Sequence, residues 1–372
     1  MVEMSCIFSN ALVEGLFSRR SGGSIPEASK IHFQNNISGN SGFCPSPAIA
    51  NRLFSFFMDS NPFISICIPA RNRVPLLRRL LDSVAAQTYK DFEVIITDNS
   101  DDDQVARLAD EYPQLHILYH LNDPKTEMGG NWNEALQRAR GQWLKLIHDD
   151  DWFTDENSLA RFAETACNTN AGFVYSAYYN VAEDTGKKTL VKAADWQLSM
   201  LRRSPFSLLT NNVIGPPSVT MIRRDALLPY RAHMKWIVDV EGYIRMLKAG
   251  AGFEAIPEPA ISICIHPEQA THAYFRNPVV EIPEYLDLLQ NWPHFHRNIF
   301  AYDACWRLMR NLKIRSAKEL ESFSQGKEIP KAFLDIIRFQ KGFSPKTLQN
   351  GLLSKLLMTV SWLRSQALFS GK

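Results

Sequence analysis

The stretch FISICIPARNRVPLLRRLLDSVAAQTYKDFEVIITDNSDDD, residues 63–103, changes its hydrophobic period twice. Residues 64–69 form a continuous apolar run of strand length, as expected of a strand buried on both faces. VPLLRRLLDSVAAQ then spaces its apolar residues along one face of a helix. FEVIIT, residues 92–97, is a second apolar run, and the polar turn DNSDDD closes it. Strand, helix and strand in this order make a βαβ unit with two parallel strands.

Downstream the alternation continues. Residues 103–111 read as a helix, LHILYH as a third strand, NWNEALQRAR as a helix, and QWLKLIH as a fourth strand running into Asp149, Asp150 and Asp151. A helix over 155–168, a strand at GFVYSAYYN, a less regular stretch up to the GPP turn at 215–217, a strand at SVTMIRR and a helix at DVEGYIRMLKAG follow. The fold class expected is α/β, a mostly parallel sheet with helices on both faces. Each polar cluster follows a strand, and the carboxyl ends of strands are where open α/β sheets bind ligands.

Residues 1–60 are rich in Ser, Asn and Gly without a sustained period and are expected to be a disordered extension. Residues 61–275 are expected to form the main domain, 61–155 its nucleotide-binding half and 156–275 its acceptor half. Residues 276–372 read as a helical, basic region, with 14 Lys/Arg against 5 Asp/Glu from Arg297 onward.

The whole chain carries 41 Lys+Arg and 39 Asp+Glu in 372 residues, so no global basic field draws it to nucleic acid. Its six cysteines, at 6, 44, 67, 167, 264 and 305, show no CxxC pair and no metal-ligand spacing, as in a reducing compartment. No apolar stretch has the length of a membrane span, and the N-terminus lacks a secretory pattern. A cytoplasmic protein is expected, free or held at the inner face of the membrane.

Three aspartates at the end of an apolar strand suit a hard divalent cation, since Mg²⁺ and Mn²⁺ take carboxylate oxygens together with substrate phosphates. Standing alone, the same triplet more often caps the next helix. Asp98 ends the second strand and would lie beside the end of the first, where Pro69, Ala70, Arg71, Asn72 and Arg73 turn away. There a carboxylate can accept the imide hydrogen of uracil, and arginines can serve a base or phosphate. Asp101, Asp102 and Asp103 read as a solvated turn and helix start.

Taken together, ISICIPARNR, SVAAQTYKDFEVIITDNSDD, NWNEALQRARGQW and LKLIHDDDWF resemble the nucleotide-binding half of the family 2 glycosyltransferases, which have the GT-A fold. GPPSVTMIRRDAL and WIVDVEGYIRMLKAG extend the resemblance to about residue 275. It implies an inverting, metal-dependent transferase that passes a sugar from a nucleoside diphosphate, a UDP-sugar first, to a glycan or lipid-linked acceptor hydroxyl, in polysaccharide or cell-surface glycan synthesis. It also implies Mn²⁺ or Mg²⁺ as cofactor.

By position, the resemblance places Pro69, Ala70, Arg71, Arg73, Asp98, Asn133, Asp149 and Asp150 around the nucleotide sugar, and Asp151 with Asp149 and His266 around the metal. The catalytic base falls on Asp239, with Glu241 in reserve. Val238 stands where the family commonly has a second acid. Trp132 stands where an arginine often precedes the central Asn133, which implies a different diphosphate contact. His266 and His272 match a segment that folds over the donor. Trp152, Trp236 and Tyr243 are candidates for a sugar-stacking face, although aromatic residues near apolar helices are usually core.

Two other readings compete. A sugar-nucleotide pyrophosphorylase would need a Gly-rich phosphate loop with a lysine, and an NAD-binding domain a GxGxxG after the first strand; neither is present. A non-catalytic protein that binds a nucleotide sugar or a partner would keep the fold without turnover. In GLLSKLLMTVSWLRSQALF, leucines at 352, 353, 356, 357 and 363 and Val360 recur at helical spacing with Lys355 and Arg364 between them. The simplest expectation is a helix that packs its leucines on the domain, the alternative an amphipathic helix on an anionic membrane.

Overall fold

The structure is a computed structural model and describes residues 61–267, 269 and 273–370. The N-terminal segment and His272 lie outside these residues. Strand β1 (Ile64–Ala70) is buried at every position and lies between β2 (Phe92–Asp98) and β4 (Trp143–Leu146), with β3 (Ile117–Leu121) beyond β2. All three pairings are parallel. The register sets Ala70 opposite Asp98, and Asp98 opposite Leu121, so the C-terminal ends of three strands share one edge.

Helices α1 (Val74–Ala85) and α2 (Gln104–Asp110) lead from β1 to β2 and from β2 to β3, moving one way across the sheet. The chain then reverses through α3 (Met128–Arg138) to reach β4 on the other side of β1. Right-handed crossovers in opposite directions put α1 and α2 on one face and α3 on the other, and the reversal opens a crevice between β1 and β4. Gly141 lets the turn before β4 press on β1: its N–H bonds Ser65 Oγ at 2.7 Å, and a Cβ there would meet Ser65 N at 2.6 Å.

Beyond β4 the sheet becomes mixed. After β5 (Trp152–Phe153) and α4 (Ser158–Asn168) come β6 (Phe173–Ala182), β7 (Lys188–Val191), α5 (Asp195–Arg203), β8 (Thr220–Arg223), α6 (Val238–Lys248) and β9 (Glu254–Ile265). Strand β8 joins β4 antiparallel, β6 joins β8, and β9 runs parallel to β6. Between Ser176 and Tyr178 the β6–β9 register slips, where β9 carries Pro257 and Pro259, residues that cannot donate to a ladder. Helix α6 stops at Gly250, whose φ of +96° suits glycine.

The C-terminal region is helical, as expected: α7 (Pro278–Gln290), α8 (Ile299–Asn311), α9 (Ala317–Phe323), α10 (Lys331–Gln340), α11 (Pro345–Gln349) and α12 (Gly351–Ser370). Its packing corrects the expectation for α12. The helix buries Ser354, Met358, Ser361 and Ser365 and leaves Leu352, Leu356, Val360 and Leu363 exposed. No helix among the described residues is long and apolar enough to cross a membrane.

Candidate functional site

The loop after β1 and the turn after β4 meet in the crevice. Arg73 bridges two of the three aspartates, with a guanidinium nitrogen 2.5 Å from Asp149 Oδ1 and another 2.5 Å from Asp150 Oδ2. Arg71 N–H donates to Asp149 Oδ2 at 3.0 Å. His266, just past β9, reaches Asp150 Oδ2 at 3.0 Å, and Arg79 donates to the Asp150 carbonyl at 2.8 Å while covering the Trp152 ring. Asp151 points the other way and accepts Cys264 N–H at 3.1 Å.

Successive residues of a turn point in different directions, so the triplet divides its work. His148, Asp150 and Asp151 each bring one donor atom within 4.8 Å of the others. The His148 side chain is 23% exposed, and burial pushes its pKa down to about 4, which keeps the imidazole neutral. Its Nε2 is buried without a hydrogen-bond partner. Two carboxylates are the donors that Mg²⁺ and Mn²⁺ prefer, and a neutral imidazole with a free nitrogen can add a third. The set fits a divalent cation.

The residues expected around the metal take different partners. Asp149 is not one of the three donors: both its oxygens are held by Arg71 and Arg73. His266 is not one either, since it hydrogen-bonds the Asp150 carboxylate instead. Asp150, expected beside the ribose and diphosphate, is one of the three residues whose donor atoms come together, and so is His148, which the sequence alone did not single out. The only signal for His148 was its place at the strand end ahead of the triplet. Trp132, 4% exposed, stacks on the His148 ring at 5.0 Å and so orients the histidine rather than reaching a diphosphate.

Electrostatics follow the geometry. Burial opposes ionisation of Asp150, but Arg73, His148 and His266 hold its carboxyl below the usual range. Burial pushes Asp149 up to about 7 despite Arg73, and burial with the charge of Asp150 raises Asp151 well above the usual range. Fully buried Lys145, unremarked in the sequence, donates to the carbonyls of Ser218 and Leu146. Burial lowers its pKa to about 7, against the pull of Asp151. Removing either charge from this group would leave the others buried and unbalanced.

On the nucleoside side, Pro69 and Ala70 are buried and the Arg71 side chain is exposed. Asp98 is fully buried, and its oxygens accept from Ser100 N–H at 2.8 Å and the Tyr119 hydroxyl at 2.9 Å. In this arrangement it organises the loop after β2. Asn133 does not face the crevice: its amide clamps the Tyr230 backbone, donating to the carbonyl at 2.7 Å and accepting the N–H at 2.8 Å.

Asp239 sits in the first turn of α6, with Oδ1 accepting Val240 N–H at 2.8 Å and Asn212 Nδ2 3.4 Å from Oδ2. Burial pushes its pKa up to about 6, with the charge of Glu284 adding. Glu241, the reserve candidate, has its Oε1 shared by Arg231 and Arg245, each at 2.7 Å, so of the two Asp239 is the carboxylate without an ion-pair partner among the described residues. Tyr243 is fully buried and packs on Phe173, so it offers no sugar platform.

Burial first, and then the charges of Asp151 and Asp239, push the Tyr178 hydroxyl up to about 12. Gly215, at φ +103°, lies under its ring, where a Cβ would come 2.7 Å from the Tyr178 ring. The fold therefore offers candidate cation donors after β4 and a carboxyl of raised pKa at the start of α6, the kinds of group that transfer to a hydroxyl needs.

Residues 65–230 match the family described as glycosyl transferase family 2. An uncharacterized protein of Mycobacterium tuberculosis is 24% identical over 205 residues, 52% of this chain and 64% of that protein. A candidate colanic acid biosynthesis glycosyl transferase of Escherichia coli is 26% identical over 195 residues, 51% of this chain and 68% of the relative. The match thus spans about two thirds of the length of these relatives. Among solved structures, S. aureus TarS 1–349 in complex with UDP-GlcNAc superposes with a TM-score of 0.49 at 12% identity, covering 75% of this chain and 91% of that one.

Proposed function

We propose that this chain, whose residues 65–230 match glycosyl transferase family 2, transfers a sugar from a nucleoside diphosphate to an acceptor hydroxyl, with Asp239 as the base. The observation that carries the reading is the group of His148, Asp150 and Asp151 donors after β4, with Asp239 and its raised pKa as the candidate base at the start of α6.

In this reading Asp239 takes the proton of the acceptor hydroxyl as that oxygen bonds to the anomeric carbon. The bond from that carbon to the diphosphate breaks in line, and the configuration inverts. A divalent cation held by His148, Asp150 and Asp151 would neutralise charge on the departing diphosphate. Arg71 and Arg73 flank the same crevice, and Arg73 also keeps Asp149 and Asp150 together when no cation is bound. The base proposed is uracil, on the place of Asp98 at the ends of β1 and β2. Polysaccharide or surface-glycan synthesis is the proposed setting, supported by the E. coli relative.

Calorimetric titration of UDP and GDP, with and without Mn²⁺, tests this on the wild type and Asp151→Ala. Manganese-dependent UDP binding that the variant loses is expected, followed by release of UDP from one sugar nucleotide in an acceptor screen. Tighter GDP binding would move the base assignment, and no nucleotide binding at all would sink the enzyme reading.

A further inference from the structure

Helix α12 is built inside out. At about 3.6 residues per turn, Ser354, Met358, Ser361 and Ser365 fall on one side of it. That side packs inward: Ser354 Oγ accepts the Trp306 indole N–H at 3.0 Å, and Ser361 Oγ lies 2.8 Å from the Tyr302 hydroxyl. Leu352, Leu356, Val360 and Leu363 fall on the opposite side and are 86%, 60%, 42% and 56% exposed, with Leu353 at the margin. A helix that merely packed on the domain would turn this stripe inward, because burying apolar side chains is what stabilises such packing.

The flanks carry charge of one sign. Lys355 borders one side of the stripe and Arg364 the other, and α12 contains no Asp or Glu. Lys355 is paired with Asp303 on α8, whereas Arg364 lies over Phe339. Beside the helix, Arg338 and Arg364 line a cleft of about 310 Å³ with Phe339, Phe343 and Asp335, the last paired to Arg338 at 2.9 Å. Lys341 and Lys346, on the approach to α12, are exposed. An apolar stripe between cations suits a surface that is greasy below and negatively charged above.

We propose that the outward face of α12 docks on an anionic phospholipid surface, leucines in the acyl boundary and Arg364 at the headgroups. A helix of this kind lies in the interface without crossing it, which agrees with the absence of a spanning helix among the described residues. The inference stands on the packing of α12 and holds whether or not the glycosyl transfer reading does. If both hold, the bilayer would lie near the acceptor side: Lys355 and Asn211 both line a second cavity, of about 410 Å³, and Asn211 is next to the Asn212 that contacts Asp239.

The test is co-sedimentation of the full chain with vesicles of phosphatidylglycerol and phosphatidylcholine, against vesicles of phosphatidylcholine alone. Binding about tenfold stronger to the anionic vesicles and weakened by salt is expected. The double substitution Leu356→Asp/Leu363→Asp should lower that binding at least about tenfold with an unchanged melting temperature, since both side chains are already in water. Arg364→Gln should lower the preference for anionic lipid while leaving the stripe intact. No sedimentation with either vesicle overturns the proposal. So does a concentration-dependent dimer in analytical ultracentrifugation that the double substitution dissolves while vesicle binding stays the same, which would make the stripe an interface between copies.

Discussion

Glu284 on α7 closes the N-terminus of the helix that carries Asp239. Its carboxylate accepts the backbone N–H groups of Lys235, Trp236 and Ile237, at 2.5, 3.0 and 2.9 Å, in the turn leading into α6. Its charge also adds to the burial that keeps Asp239 protonated up to about pH 6. One buried residue thus fixes the loop that carries the proposed base and adds to the burial that raises its pKa.

Glu284→Gln keeps an acceptor for part of this loop and removes the charge. The acid limb of kcat/KM against pH should therefore move to lower pH, because Asp239 then ionises more easily. Glu284→Ala strands three N–H groups and should cost about 1–3 kcal/mol of stability, read by urea melts. A profile that does not move in Glu284→Gln would show that Glu284 acts on the loop alone.

Asp239 makes a prediction with opposite effects on rate and stability. Its folded pKa lies above that of a free Asp, so the unfolded state loses the proton first as pH rises. Its contribution to stability is therefore full below about pH 4 and lost as pH rises through about 6. Above pH 6 the native protein carries a buried charge at a cost of about 1–3 kcal/mol. Asp239→Asn should remove that cost and raise the melting temperature at pH 7.5, while turnover drops by at least about a hundredfold and nucleotide binding is kept. Undiminished turnover would move the base elsewhere.

How far the sequence could be read depended on what each residue's neighbours were. β1, β2 and β4 were legible because strands buried on both faces are unbroken apolar runs. β5, with two residues, and β7, exposed along much of its length, have no such signature. α3 starts at Met128, ahead of the expected NWNEALQRAR, since Gly129 and Gly130 hide the helical period. Gly129 is there because the backbone of Arg231 and Ala232 would lie 3.2 Å from a Cβ.

At the site, residue types were legible and their partners were not. The triplet announced a charged turn, but which aspartates face His148 and which face Arg73 depends on the turn's geometry and on β9, more than a hundred residues later. The partners of Glu241 and Asn133 were unreadable for the same reason: Arg231 and Arg245 hold the one, and the Tyr230 backbone the other. Exposure of the α12 leucines was equally unreadable, since periodicity finds an apolar stripe without saying which way it faces.

Arg73 and a bound cation should partly replace each other. Arg73→Ala leaves Asp149 and Asp150 buried without their shared countercharge, a loss that costs about 3–5 kcal/mol in other buried ion pairs. A divalent ion beside Asp150 would restore part of it. Mn²⁺ should thus raise the melting temperature of Arg73→Ala more than that of the wild type, read by scanning calorimetry with and without the ion. An equal rise in both proteins would mean that Arg73 and the cation answer to different carboxylates.

His148 separates the cation group from the rest of the crevice. Its ring is held against Trp132 and its Nε2 has no hydrogen-bond partner, so His148→Phe keeps the stacking and volume and removes only the nitrogens. If that nitrogen is a cation donor, Mn²⁺ affinity, measured by the water-proton relaxation of Mn²⁺ titrations, should fall about 10–100-fold with little change in melting temperature. Trp132→Leu should give a smaller loss of the same kind, because it frees the ring without removing the donor. Wild-type Mn²⁺ affinity in His148→Phe would leave Asp150 and Asp151 as the donors, with the histidine serving only to cover them from water.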